Sequence, residues 1–200
     1  NVSGDLSCEH SRVRKEKRMP FLEITGRKIY YEDHGEGAPV VLLHHGFGCT
    51  KIWKEIYPEL VNKGYRVILY DRRGFGQSEK GDDALDFYVS DQVRSESVKE
   101  LALLLKTLGV ESLHLVGQCE GGVVAVDFAT AYPDRVQTIT ISSTQCYSTV
   151  TMEELNREKF PKVFRELHPA LQEKLKDWHG EGYAESFFNQ FRTYGGEYGK

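Results

Sequence analysis

The sequence predicts an α/β domain, a doubly wound and mostly parallel sheet with helices on both faces, and three observations carry that prediction. Apolar runs such as "APVVLLHHG", "YRVILYD" and "SLHLVG" are continuous rather than alternating, as in strands buried on both faces. Stretches with helical apolar spacing separate these runs, the alternation expected of strand–helix–strand units. Glycine-rich turns close the strands at the ends where open parallel sheets bind their ligands.

In chain order, "FLEITG" and "KIYYEDHG" are short β-rich runs around a Gly-Arg turn and read as a hairpin. The buried strand "APVVLLHHG" is followed by "TKIWKEIYPELVNKG", which places Ile52, Trp53, Ile56, Leu60 and Val61 on one helical face and ends at Gly64. "YRVILYD" is the next buried strand. "DQVRSESVKELALLLKTLG" is a longer amphipathic helix with Val93, Val98, Leu101, Leu104, Leu105 and Leu108 inward. "SLHLVG", the apolar helix "EGGVVAVDFATAYP" and the strand "VQTITISS" complete a core over residues 19–145. Residues 146–200 are charged, helical in period and rich in Phe and Tyr. They read as a helical subdomain that packs its own aromatics, and a lid over a pocket fits the same residues.

Residues 1–18 stand apart. They are nearly free of apolar side chains and end in Arg12, Arg14, Lys15, Lys17 and Arg18, so a disordered tail or an extension before Met19 is expected. A nucleic-acid address is the other reading of that basic cluster. The whole chain carries a net charge of -4, which gives no electrostatic case for nucleic acid or an anionic membrane. No apolar stretch approaches the roughly 18 residues of a membrane span, and a secretory core is lacking, so a cytoplasmic location is expected. The cysteines at 8, 49, 119 and 146 form neither CxxC pairs nor metal spacings and read as free thiols. No metal or organic cofactor is implied.

Chemistry concentrates in "LVGQCEGG". To expose a nucleophile above a sheet, the chain must pass from strand to helix within a couple of residues, in a strained backbone conformation. Residues two before and two after must then be tiny, because neighbouring backbone passes close by. Gly117 and Gly121 meet this need around Cys119, and Gly122 extends the clearance into the helix. The helix N-terminus favours an anion and is expected to lower the thiol from its usual pKa of about 8.5, while the neighbouring Glu120 carboxylate opposes that. The Glu120 side chain itself reads as a helix-start carboxylate favoured by the dipole. An oxyanion needs two amides; the N–H of Glu120 is one candidate, and Phe47 in "HGFG" is the other, supported by Gly46 and with His45 placed to orient the loop. Cys49 and Cys146 read as inert small hydrophobes.

"LLHHGFG", "YDRRGFGQS" and "LVGQCEGGVVAVDFATAYPDRV", in this order and spacing, resemble the oxyanion loop, the D-x-R-G-x-G-x-S turn and the nucleophile elbow of α/β-hydrolase-fold proteins. The likeness is to the lid-bearing kind typified by esterases, meta-cleavage product hydrolases and epoxide hydrolases, and spans Met19 to Lys200. A cysteine in the elbow is similar to dienelactone hydrolases and polyhydroxyalkanoate synthases. The resemblance implies a hydrolase of ester, thioester or lactone carbonyls, with Cys119 as nucleophile and a small-molecule acyl substrate. A non-catalytic ligand-binding protein and an acyltransferase are the alternatives. The family's acid and histidine follow later strands; all seven histidines here precede that place, and Glu153 and Glu154 are the nearest carboxylates after "SSTQC". "VQTITISS" would be a bare apolar edge, so a continuation or partner chain is expected to complete the sheet.

Overall fold

The computed structural model describes residues 20–193, and the expectations for residues 1–18, Met19 and Tyr194 fall outside them. Six strands form one sheet in the order β1-β2-β4-β3-β5-β6: β1 (Phe21–Ile24), β2 (Arg27–His34), β3 (Ala38–Leu43), β4 (Tyr65–Tyr70), β5 (Leu113–Gln118) and β6 (Val136–Ser142). The first two pairings are antiparallel, and β4, β3, β5 and β6 run parallel. This is the doubly wound, mostly parallel layout that the apolar runs predict. The hairpin turn lies one residue earlier than the Gly-Arg reading, at Thr25 and Gly26, which both take positive φ.

The runs are continuous because each strand feeds two cores. Val41, Leu43, Ile68 and Tyr70 pack towards Leu101, Leu104, Val124 and Phe128 of the helices α3 (Val93–Thr107) and α4 (Glu120–Ala131). Their alternates Val40, Leu42, Val67 and Leu69 face Trp53, Leu60 and Val61 on the other side. Burying each such side chain stabilises by roughly 1.5–3 kcal/mol, and a one-residue slip would move all of them to the wrong face.

The helix expected over "TKIWKEIYPELVNKG" is instead a 3-10 turn, Thr50–Trp53, and a short helix α1 (Tyr57–Asn62). Pro58 lacks an amide proton and its ring clashes with the preceding turn, so the chain restarts there as a new first turn. Ile56, expected inward, is left exposed. A five-residue helix α2 (Ala84–Tyr88), too short to show a period, was not expected.

Beyond β6 come α5 (Met152–Lys159), α6 (Pro169–His179) and α7 (Ala184–Thr193). A capping box between Thr151 and Glu154 opens α5. The aromatics of these helices do not pack only among themselves. Phe164, Phe187, Phe188 and Phe191 share a cluster with Phe75, Tyr88 and Val123, so the helical layer closes over the carboxyl ends of the strands. Among the described residues no helix is long and apolar enough to cross a membrane. Strand β6 pairs with β5, and Ile139 and Ile141 are exposed.

Candidate active site

From β3 the chain moves outward to β4, then crosses back past β3 to β5. The winding reverses between β3 and β5, the point where open sheets of this kind receive ligands, and the loops that follow these two strands meet there. Those loops are "HHGFG" and "QCEGG".

Strand β5 ends at Gln118 and α4 begins at Glu120, leaving Cys119 as the whole turn. Its backbone takes φ 52° and ψ -118°, a conformation that L-residues hold at a cost of about 1–3 kcal/mol. Two contacts fix it: the Cys119 amide donates to the Ser142 carbonyl on β6 (2.8 Å), and the Gly122 amide donates to the Cys119 carbonyl (2.9 Å). The small residues have the packing reasons anticipated. A Cβ on Gly117 would stand 2.6 Å from the Gly121 carbonyl oxygen and the Gly122 backbone, one on Gly121 would collide with the carbonyls of Leu43 and His44, and one on Gly122 would strike Thr144. Gly46 is equally hemmed in, by Glu120 Oε2 (2.5 Å), Phe191 (2.9 Å) and the Tyr88 hydroxyl (3.2 Å).

Cys119 is exposed, and the backbone amides of Glu120 and Gly46 favour its thiolate. The expected lowering of the thiol is not found. Protein packed around the sulfur, and next the Glu120 carboxylate, raise its pKa; the two amides and Arg72 pull the other way without prevailing. The loop after β3 also differs in detail. Phe47, the expected donor on this loop, gives its N–H to His45 Nδ1 (3.1 Å). His45 thus orients the loop by accepting from it, and burial and then Arg72 hold its pKa near 4, leaving it neutral.

Glu120 opens α4 as the helix-start reading has it, and its side chain also enters a buried network. Glu120 is buried; Arg72 Nη1 donates to Oε1 (2.7 Å) and the Tyr88 hydroxyl to Oε2 (3.0 Å). Arg72, 3% exposed in its side chain, lies over the Phe75 ring and donates its backbone N–H to His44 Nε2 (3.1 Å). His44 Nδ1 in turn bonds the His45 carbonyl (2.9 Å), and burial followed by Arg72 keeps this histidine well below its usual pKa. One buried network therefore joins the three glycine turns. The local sequence at Glu120 held no signal for it, since the partners lie 32 and 48 residues away; the pair of arginines in "DRRGFG" was the only hint.

A further residue unseen in the sequence is His179, at the end of α6. It accepts from the Gly76 N–H and meets the Phe47 carbonyl, partners 103 and 132 residues distant. Cys49 is buried, and burial and then Asp71 push its thiol up to about 12, which makes it inert; Cys146 is exposed.

A strained single-residue turn between a parallel strand and a buried helix has the backbone geometry of an elbow in an α/β sheet. Residues 39–176 match the family model described as the alpha/beta hydrolase fold, and the chain belongs to that family. A proline iminopeptidase from Lactobacillus helveticus is 36% identical over 147 residues, covering 71% of this chain and 48% of the relative. A 2-hydroxy-6-oxo-6-phenylhexa-2,4-dienoate hydrolase from Comamonas testosteroni is 38% identical over 112 residues, 54% of this chain and 37% of that protein. Among solved structures, a thermophilic esterase from Thermogutta terrifontis superposes with a TM-score of 0.65 at 25% identity, over 90% of this chain and 72% of the other. The chain spans about half the length of the curated relatives it matches.

Proposed function

We propose that the protein hydrolyses a small acyl substrate, an ester, thioester or lactone, through Cys119 in a cytoplasmic setting and without a cofactor. The observation that carries this reading is the strained turn that leaves Cys119 alone and exposed between β5 and α4. The Cys119 sulfur attacks the carbonyl carbon as its proton passes to a base, and the carbonyl oxygen becomes an oxyanion held by the Glu120 amide and an amide of the 46–47 loop. Collapse expels the leaving group, which takes up the proton, and leaves an acyl thioester. Water then adds, the acid departs and the thiol is restored.

The raised thiol makes a general base necessary, and among the described residues no histidine is hydrogen-bonded to the Cys119 sulfur. In our reading a further strand, from a continuation of the chain or a partner, covers β6 and brings a histidine and its carboxylate to the site. The exposure of Ile139 and Ile141 supports this. The helices α5–α7 act as a lid whose aromatic layer selects apolar acyl groups. In the full-length protein, Cys119→Ala should lower p-nitrophenyl ester turnover at least about a thousandfold and abolish the acyl adduct seen by mass spectrometry. Turnover within tenfold of the unaltered protein would sink the proposal.

A further inference from the structure

We infer that His179 is a positioning residue that holds the loop after β3 in its oxyanion-binding shape, and so couples the seating of α6 to acylation of Cys119. The inference rests on the reading of Cys119 as the nucleophile. The Gly76 N–H donates to His179 Nδ1 (3.1 Å), and Nε2 stands 2.8 Å from the Phe47 carbonyl oxygen. An amide N–H can only donate and a carbonyl oxygen can only accept, so the ring is neutral and carries its proton on Nε2. One imidazole from the helical layer thereby joins the turn after β4 to the turn after β3. The ring is buried, stacks on Phe187 (4.3 Å) and meets the edge of Phe75. Burial, followed by Lys80, His45 and Lys51, pulls its pKa down to about 4 against the opposing effect of the Phe47 carbonyl, which keeps that tautomer available at neutral pH.

The consequence lies at Phe47. Its N–H is held by His45 and its carbonyl by His179, so the peptides on both sides of the residue are pinned. Gly46 and Gly48 flank it and offer little resistance to rotation of those peptides. Gly46 belongs to the same loop and lies against the elbow, where a Cβ added to it would stand 2.5 Å from Glu120 Oε2. Losing the donor to the Phe47 carbonyl would let the loop turn, and a displacement of about 1 Å is enough to cost a catalytic group most of its effect. A role confined to stability would not favour one reaction of Cys119 over another.

Two reactions of Cys119 in the full-length protein separate these cases. Alkylation by iodoacetamide generates no oxyanion, whereas acylation by p-nitrophenyl acetate does. His179→Phe keeps the ring and its stacking but loses both hydrogen bonds. It should slow the acylation burst at least about tenfold and leave alkylation of Cys119, located by peptide mass, within about twofold. His179→Gln, which retains a donor and an acceptor, should recover most of the acylation rate. Equal changes in both reactions, or none in either, overturn the inference. Unaltered protein that shows neither burst nor alkylation sinks the nucleophile reading, a separate result that takes the inference with it. Should His179→Phe not fold, 15N-histidine NMR of the unaltered protein at pH 7 decides. A neutral Nε2–H ring at His179 supports the inference, and a charged ring or an Nδ1–H tautomer overturns it.

Discussion

Replacing Glu120 by alanine tests whether the network behind Cys119 is a structural necessity. A carboxylate that merely complements a helix dipole at the surface is worth about 0.3–1 kcal/mol. Here the carboxylate stands 2.7 Å from a guanidinium, with side-chain exposures of 7% and 3%, and breaking a pair so buried costs about 3–5 kcal/mol because the remaining charge keeps its desolvation penalty. At about 2–4 °C per kcal/mol for a domain of this size, the melting temperature should fall by roughly 6–20 °C. Urea unfolding of the full-length protein is the assay, with the midpoint lowered and the slope unchanged. The double change Glu120→Met with Arg72→Met should recover much of the loss, since two apolar side chains of similar volume replace both charges. A loss below about 1 kcal/mol for Glu120→Ala would refute the argument and leave the helix dipole as the main partner of the carboxylate.

Two further outcomes can be checked on the same protein. Burial raises the Glu100 carboxyl to about 7, with backbone bonds from Arg73 and the charges of Arg72 and Arg73 opposing it. Its folded pKa lies above the unfolded value of 4.5, so its contribution is present below about pH 4.5 and is lost as pH rises to about 7. The whole swing is about 3 kcal/mol, and Glu100→Gln should remove that part of the pH dependence of unfolding; parallel stability curves for the two proteins would contradict this. Gly121→Ala drives a methyl group into the backbone carbonyls of Leu43 and His44, which cannot swing aside as a side chain would. A loss of about 1–3 kcal/mol is expected, and a variant with an unaltered urea midpoint would show that the helix can slide away freely.

What the sequence disclosed and what it hid divide along distance in the chain. Strands β3, β4 and β5 were legible because burial on both faces writes an unbroken apolar run. The elbow was legible because its steric demands fall on Gly117, Gly121 and Gly122, all within three residues of Cys119. The buried partners of the Glu120 side chain were hidden because Arg72 and Tyr88 reach it only through the fold, and the thiol was misjudged for the same reason: a local rule about helix ends was outweighed by packing and by Glu120. The broken helix at Pro58 is different, since the proline was in view and the apolar spacing across it misled. His179 had no local signature at all.

The residue before His179 gives the molecule an optical consequence. The chain has two tryptophans. Trp53 is sealed into the core beneath β3 and β4, whereas Trp178 is half-buried on α6, with its ring beside His45 (6.2 Å) and beneath the Lys174 ammonium (4.9 Å). The two indoles therefore occupy environments of different polarity, and a change in the longer-wavelength part of the emission would report α6 lifting from the loop while the sheet beneath stays folded.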